Sequence, residues 1–271
     1  MSNPALRNNP ALNGKTLTAE ELNRIYNQPA ANVQRPGIDP EQPPAPPASA
    51  TPMTYENTIH KTGFLLLTVI AFGVVGWLMP VLMIPGLIAG LVLGLINAFK
   101  REPNVALIVL YGVAQGLFLG GISGLLEGMY PGIVSQAVIG TVSVFVVTLL
   151  LFRSGKVRTS PKMTKIVLIA MAGYLVFSLI NVGLMWTGVS QDAWGLRTGV
   201  EIFGIPLGIL LGILAVFLAA YSLVMDFEFV KTGVERGADK KYAWSAAFGL
   251  TVTLIWLYVE ILRILAILRG D

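Results

Sequence analysis

Cysteine is absent from this 271-residue chain, and histidine occurs once, at His60. The first absence removes disulfides and thiolate metal sites. Together they leave only carboxylates for a transition metal or haem. They also leave no histidine in an apolar run for a Ser–His intramembrane protease. Charge is scarce as well: Asp, Glu, Lys and Arg make up 13% of the residues, against about 25% in a soluble domain. Hydrophobic residues make up 54%, and mean hydropathy is +0.70. The composition is that of a membrane protein. No nucleotide-binding motif occurs, and the net charge of +4 gives no reason to expect nucleic acid. Retinal chemistry needs a Schiff-base lysine in the last span, where the basic residue is Arg263. An intramembrane aspartyl protease needs two buried aspartates, and only Asp226 lies near an apolar run. An enzyme is not expected, and no cofactor is implied.

The chain changes character near residue 60. Residues 1–62 hold ten of the sixteen prolines and no long apolar stretch. PEQPPAPPASATP reads as an extended linker. TLTAEELNRIY could form a short helix, with Thr18 and Glu21 at capping-box spacing, and a second could start at Thr54 and lead into the membrane. The remainder of this tail has the composition of a disordered segment. Nothing apolar lies within the first 30 residues, so the first span is expected to serve as its own insertion signal.

Runs near 20 residues span a hydrocarbon core of about 30 Å. Gly63–Phe99 is one apolar run, roughly 55 Å long as a single helix at 1.5 Å per residue, and Pro80 and Pro85 offer a turn within it. The expected spans are 63–79, 82–99, 105–126, 132–152, 166–187, 199–225 and 243–268. This is an all-α bundle of seven membrane helices over residues 63–268. Lys and Arg set its orientation. Lys100 and Arg101, then Arg153, Lys156, Arg158, Lys162 and Lys165, then Lys231, Arg236, Lys240 and Lys241 make the even loops basic. The odd loops hold only Arg197. The N-terminus is expected in the cytoplasm and the C-terminus outside. Glycines at four-residue spacing (86, 90 and 94; 112, 116, 120 and 124; 204, 208 and 212) mark faces for close helix contact, within the chain or in a homodimer. Pro206 is expected to bend the sixth helix.

Polar groups at membrane depth are costly and therefore informative. WLYVEILRIL carries Glu260 and Arg263 three residues apart. Glu260 lies roughly 25 Å along the last helix, toward its outer end. Thr253 and Trp256 share the stripe. Such a helix should turn its stripe toward protein or water and sit inside the bundle. The charges form either a packing salt bridge or the wall of an ion path. Asp226 and Glu228, in MDFEFV, are expected at the inner end of the sixth helix. Glu127 and Glu201 are expected at the outer face, where they could form a cation-attracting vestibule with Glu260.

MDFEFVKTGVERGADKKYAWSAAFGLTVTLIWLYVEILRILAIL resembles the C-terminal signature of the Bax inhibitor-1 family (transmembrane Bax inhibitor motif proteins), in its bacterial YccA-like branch. MTYENTIHKTG and GLFLGGIS…YPGIV extend the likeness to about residues 52–268. The resemblance implies seven helices with the last at the centre, in a bacterial cytoplasmic (inner) membrane. Functionally it implies a pH-sensitive cation leak with calcium as the transported ion, or a non-conducting regulator that binds a membrane protease or another membrane protein. The family's leak uses two aspartates sharing a proton, one on the sixth helix and one on the last. Asp226 matches the first and is a candidate calcium contact. The second position falls on Thr253, which cannot ionise. Lys100 and Arg101, at the end of the second span, or Glu228 are then candidate latch partners for Asp226.

Overall fold

The computed structural model describes residues 51–189 and 194–270. Within them, seven helices are long and apolar enough to cross a membrane: α1 Tyr55–Leu78, α2 Met83–Phe99, α3 Val105–Met129, α4 Ile133–Arg153, α5 Pro161–Trp186, α6 Leu207–Glu235 and α7 Tyr242–Gly270. The Thr18–Glu21 capping box and the proline-rich linker lie outside the described residues.

Local chemistry sets the helix ends. Thr54 caps α1 by accepting the Asn57 amide, so the segment expected to be a separate lead-in helix is the first part of α1. The first helix therefore begins before residue 63. Met53 is only 1% exposed, and its amide donates to the Ala238 carbonyl at 2.7 Å. The Lys240 amide donates back to Thr51 at 2.9 Å. Residues 51–53 are thus strapped to the turn between α6 and α7. Met79, a single 3-10 turn at Pro80–Leu82 and the start of α2 form the corner inside the first long apolar run. Ser160 caps α5, with Pro161 at its first position, so α5 begins five residues ahead of the expected 166.

The sixth span departs furthest from expectation. Residues 199–206 do not enter it. Leu196–Gly199 forms one helical turn, and β1 Glu201–Ile202 pairs antiparallel with β2 Ile205–Pro206. Gly204 takes φ +75° in that hairpin, a conformation that favours glycine. Pro206 is the N-cap of α6, where its missing N–H costs nothing, so it does not bend the helix. At the other end α6 continues through Asp226 and Glu228 to Glu235. Both carboxylates are therefore inside a helix rather than on a terminal turn.

Helix α7 packs against α1, α3, α4 and α6, and it has the largest buried share of the seven spans. It is the central element. Ala243, Ala246 and Leu250 meet Ala219, Leu223 and Phe227 of α6 in the largest core cluster. The glycine faces are spent inside the chain. Gly112, Gly116 and Gly120 of α3 meet Leu65, Val69 and Gly73 of α1, while Gly86 and Gly90 of α2 meet Ala114 and Gln115 of α3. Gly208 and Gly212 of α6 receive Ile267 and Ile264 of α7. Large side chains such as Leu67, Ile88, Ile139, Ile169 and Phe217 stay exposed around the outside, as lipid-facing residues must. Between α1 and α4 an apolar cleft of about 700 Å³ reaches Leu254 and Tyr258 of α7.

A Cβ at Gly120 would fall on the carbonyl of Gly73, whereas one at Gly128 meets nothing within 4 Å. Gly120→Val should therefore lower the melting midpoint in detergent, by the equivalent of about 1–3 kcal/mol of overpacking. Gly128→Ala should leave it unchanged.

Candidate functional site

Two polar clusters lie on α7, one near the start of its middle third and one toward its end. The first joins α7 to α6. The Thr253 hydroxyl donates to Asp226 Oδ2 at 2.7 Å, with Thr253 7% exposed. Gly249, one turn earlier, leaves room beside the carboxylate, and a Cβ there would sit 3.0 Å from Asp226 Oδ1. The sixth-helix aspartate and the last-helix position picked out by the resemblance are thus in direct contact, with a hydroxyl where a second carboxylate was anticipated. Lys100 and Arg101 do not take part. Both are exposed, and among the described residues no ion pair reaches Asp226. They follow the end of α2 at Phe99, and α2 packs on α3 rather than on α6. Glu228 does not pair with Asp226 either. It is two residues away, which on a helix turns it to a different face, and it meets Arg158 at 3.9 Å.

The second cluster is denser. Glu260 is 1% exposed. Its Oε1 accepts from Tyr174 Oη of α5 at 2.6 Å, Arg263 Nη2 at 2.8 Å and Trp256 Nε1 at 3.1 Å. Tyr174 Oη in turn accepts from Arg263 Nη1 and Arg197 Nη1, each at 3.1 Å. A phenol has one proton to give and two lone pairs, so this hydroxyl is saturated. It joins α5, α7 and the α5–α6 connection at one atom. The expected Glu260–Arg263 pair is present, so the charges do form a packing salt bridge. It belongs to a network of two guanidiniums and one carboxylate. Glu260 Oε2 is buried and accepts nothing among the described residues.

Arg197 is the residue that sequence reading undervalued. It is 3% exposed, lies over the rings of Tyr174 and Phe177 at 5.2 and 5.5 Å, and donates to Ser178 Oγ at 2.8 Å. Asn181 of α5 places it: its side chain accepts from the Leu196 amide at 2.7 Å and donates to the Trp194 carbonyl at 3.1 Å. Asn181 thus grips the connection between α5 and α6. The available signal was that Arg197 is a lone basic residue among the otherwise bare odd loops.

Glu127 and Glu201, the two carboxylates expected to accompany Glu260, have separate settings. Glu127 accepts the amides of Gly132 and Val134, tying down the start of α4. Glu201 is exposed on β1. Each Glu127 oxygen thus accepts a backbone amide, and among the described residues neither is hydrogen-bonded to the Glu260 cluster.

A family model described as Bax inhibitor 1 like matches residues 3–270 of the chain. No curated protein matches it.

Glu260→Gln would leave the buried guanidinium of Arg197 and the partly exposed one of Arg263 without a counter-charge, a loss of about 3–5 kcal/mol. Tyr174→Phe would leave the charges and remove their shared hydroxyl, at roughly 1–3 kcal/mol. Thermal melts of both variants in detergent should rank them in that order, with Glu260→Gln the less stable.

Proposed function

We propose, for a chain that belongs to the Bax inhibitor 1 like family, a pH-sensitive cation leak through the bundle beside α7, with calcium as the transported ion. The observation that supports this is Asp226. Its carboxylate faces the central helix, its hydrogen bond comes from a neutral hydroxyl, and no cationic side chain is paired with it among the described residues. An uncompensated carboxylate in a membrane interior is expensive. A proton or a passing cation can offset that cost, and the two compete for the same oxygens.

The absence of a basic partner fixes the sign of the pH response. Protonation of Asp226 releases no tethered cation. It removes the negative charge that would hold calcium. Cation flux should therefore fall as the medium is acidified. Other charges near this end pair with one another, Glu228 with Arg158, Lys231 with Glu235 and Lys241 with Glu102.

The chain's setting follows from the same reading. The basic even loops support a cytoplasmic N-terminus and an outside C-terminus. The C-terminal signature supports a YccA-like member in a bacterial cytoplasmic membrane. Because the chain has no cysteine, single introduced cysteines report side directly. Lys156→Cys should react with an impermeant maleimide only from the cytoplasmic side, and Gly128→Cys only from outside.

Calcium flux in proteoliposomes across a pH series is the decisive measurement. The wild type should conduct and weaken toward acid. Asp226→Asn should conduct less and lose the pH dependence. Thr253→Asp should move the pH dependence to higher pH, because of two carboxylates in contact one holds its proton more tightly. Flux unaltered by Asp226→Asn would remove the carboxylate from the path. A wild type that moves no cation at any pH would assign the chain to the second reading, a regulator that binds a membrane protease or another membrane protein.

A further inference from the structure

The chain's own Arg197 sits in its pocket as a ligand would. Its guanidinium enters from a four-residue turn in the α5–α6 connection, not from one of the seven spans. Two hydroxyls, Tyr174 Oη and Ser178 Oγ, receive its two terminal nitrogens at 3.1 and 2.8 Å. Two aromatic rings, of Tyr174 and Phe177, lie at cation–π distance. Rings with oxygen acceptors are the chemistry that recognises an organic monovalent cation. Glu260 Oε2, buried and without a hydrogen-bond partner among the described residues, belongs to the same cluster. The Glu260 carboxylate already neutralises Arg263, at 2.8 Å. Arg197 is therefore a charge in excess of what packing requires, and it gives the cluster a net positive charge. In a poorly polarisable interior that charge repels any cation approaching along α7.

We propose that Tyr174, Phe177, Ser178 and Glu260 form an outer cation-binding pocket that the tethered guanidinium of Arg197 occupies and thereby blocks. The ligand class is the guanidinium or a similarly sized monovalent organic cation. Withdrawal of Arg197 leaves a neutral Glu260–Arg263 pair, one released acceptor position on Tyr174 Oη, the Ser178 hydroxyl and an open carboxylate oxygen. Asn181 holds the block in place through the backbone of Trp194 and Leu196. That this block gates ion passage rests on the cation-leak reading. That the pocket binds a cation does not.

The test separates the two. In purified Arg197→Ala, methylguanidinium should raise the melting midpoint by several degrees, because a ligand that binds the folded state stabilises it. The wild type, with its pocket filled, should show no rise. Arg197→Gln, which keeps polar contact with Tyr174 and Ser178 without the charge, carries the same test if the alanine variant does not stay folded. No stabilisation in a folded variant overturns the pocket, whatever the flux. In proteoliposomes the charge-free variant should pass cations severalfold faster than wild type, and methylguanidinium should return flux to the wild-type level. Equal flux in wild type and variant, with binding intact, overturns the block while leaving the pocket. No flux in either, with binding intact, overturns both the block and the leak reading but keeps the pocket.

Discussion

A charge carried to membrane depth must find its partners inside the protein, and the arrangement around α7 follows from that requirement. Glu260 gathers a phenol, an indole and a guanidinium on one oxygen. Tyr174 can reach it because α5 packs on α6, which brings the connection bearing Arg197 over the same spot. Had α7 lain at the edge of the bundle, these groups would face acyl chains and the helix would not tolerate them. The central position of α7 and the composition of its polar stripe are one constraint expressed twice.

The bundle closes around α7 by removing side chains. Lipid gives no hydrophobic incentive for helices to associate, so close backbone approach and dispersion contacts have to supply it. The glycines of α3 admit α1, those of α2 admit Ala114 and Gln115 of α3, and Gly208 and Gly212 let α6 seat against Ile267 and Ile264. Alanines do the same work in the first half of α7. Dense packing on one flank contrasts with the apolar cleft between α1 and α4 on another.

Much of this was legible in the sequence. Four of the seven spans follow from apolar run length and two more from a long run broken at Pro80 and Pro85, and the last helix's interior place follows from the stripe that runs from Thr253 through Glu260 to Arg263. The sixth span slipped because Val200–Pro206 is as apolar as a membrane segment, and hydropathy does not register that Gly204 and Pro206 turn it into a hairpin. That slip carried Asp226 and Glu228 to the end of a helix they lie within. The Asp226–Thr253 contact was reachable only as an alignment of positions, since no periodicity relates residues on different helices. Arg197 was missed for a related reason. A basic residue in an extramembrane loop reads as solvated, and its burial depends on Asn181 and Tyr174, which a local pattern does not connect to it.

The strap at residues 51–53 gives the bundle a mechanical property. Its two backbone bonds to the turn between α6 and α7 join the chain preceding α1 to the root of the central helix, and Met53 wedges into the same core. Tension applied to that chain from the membrane surface would be delivered to the base of α7 before it stretched α1. The knot works as a tendon insertion, with the axle of the bundle at its other end.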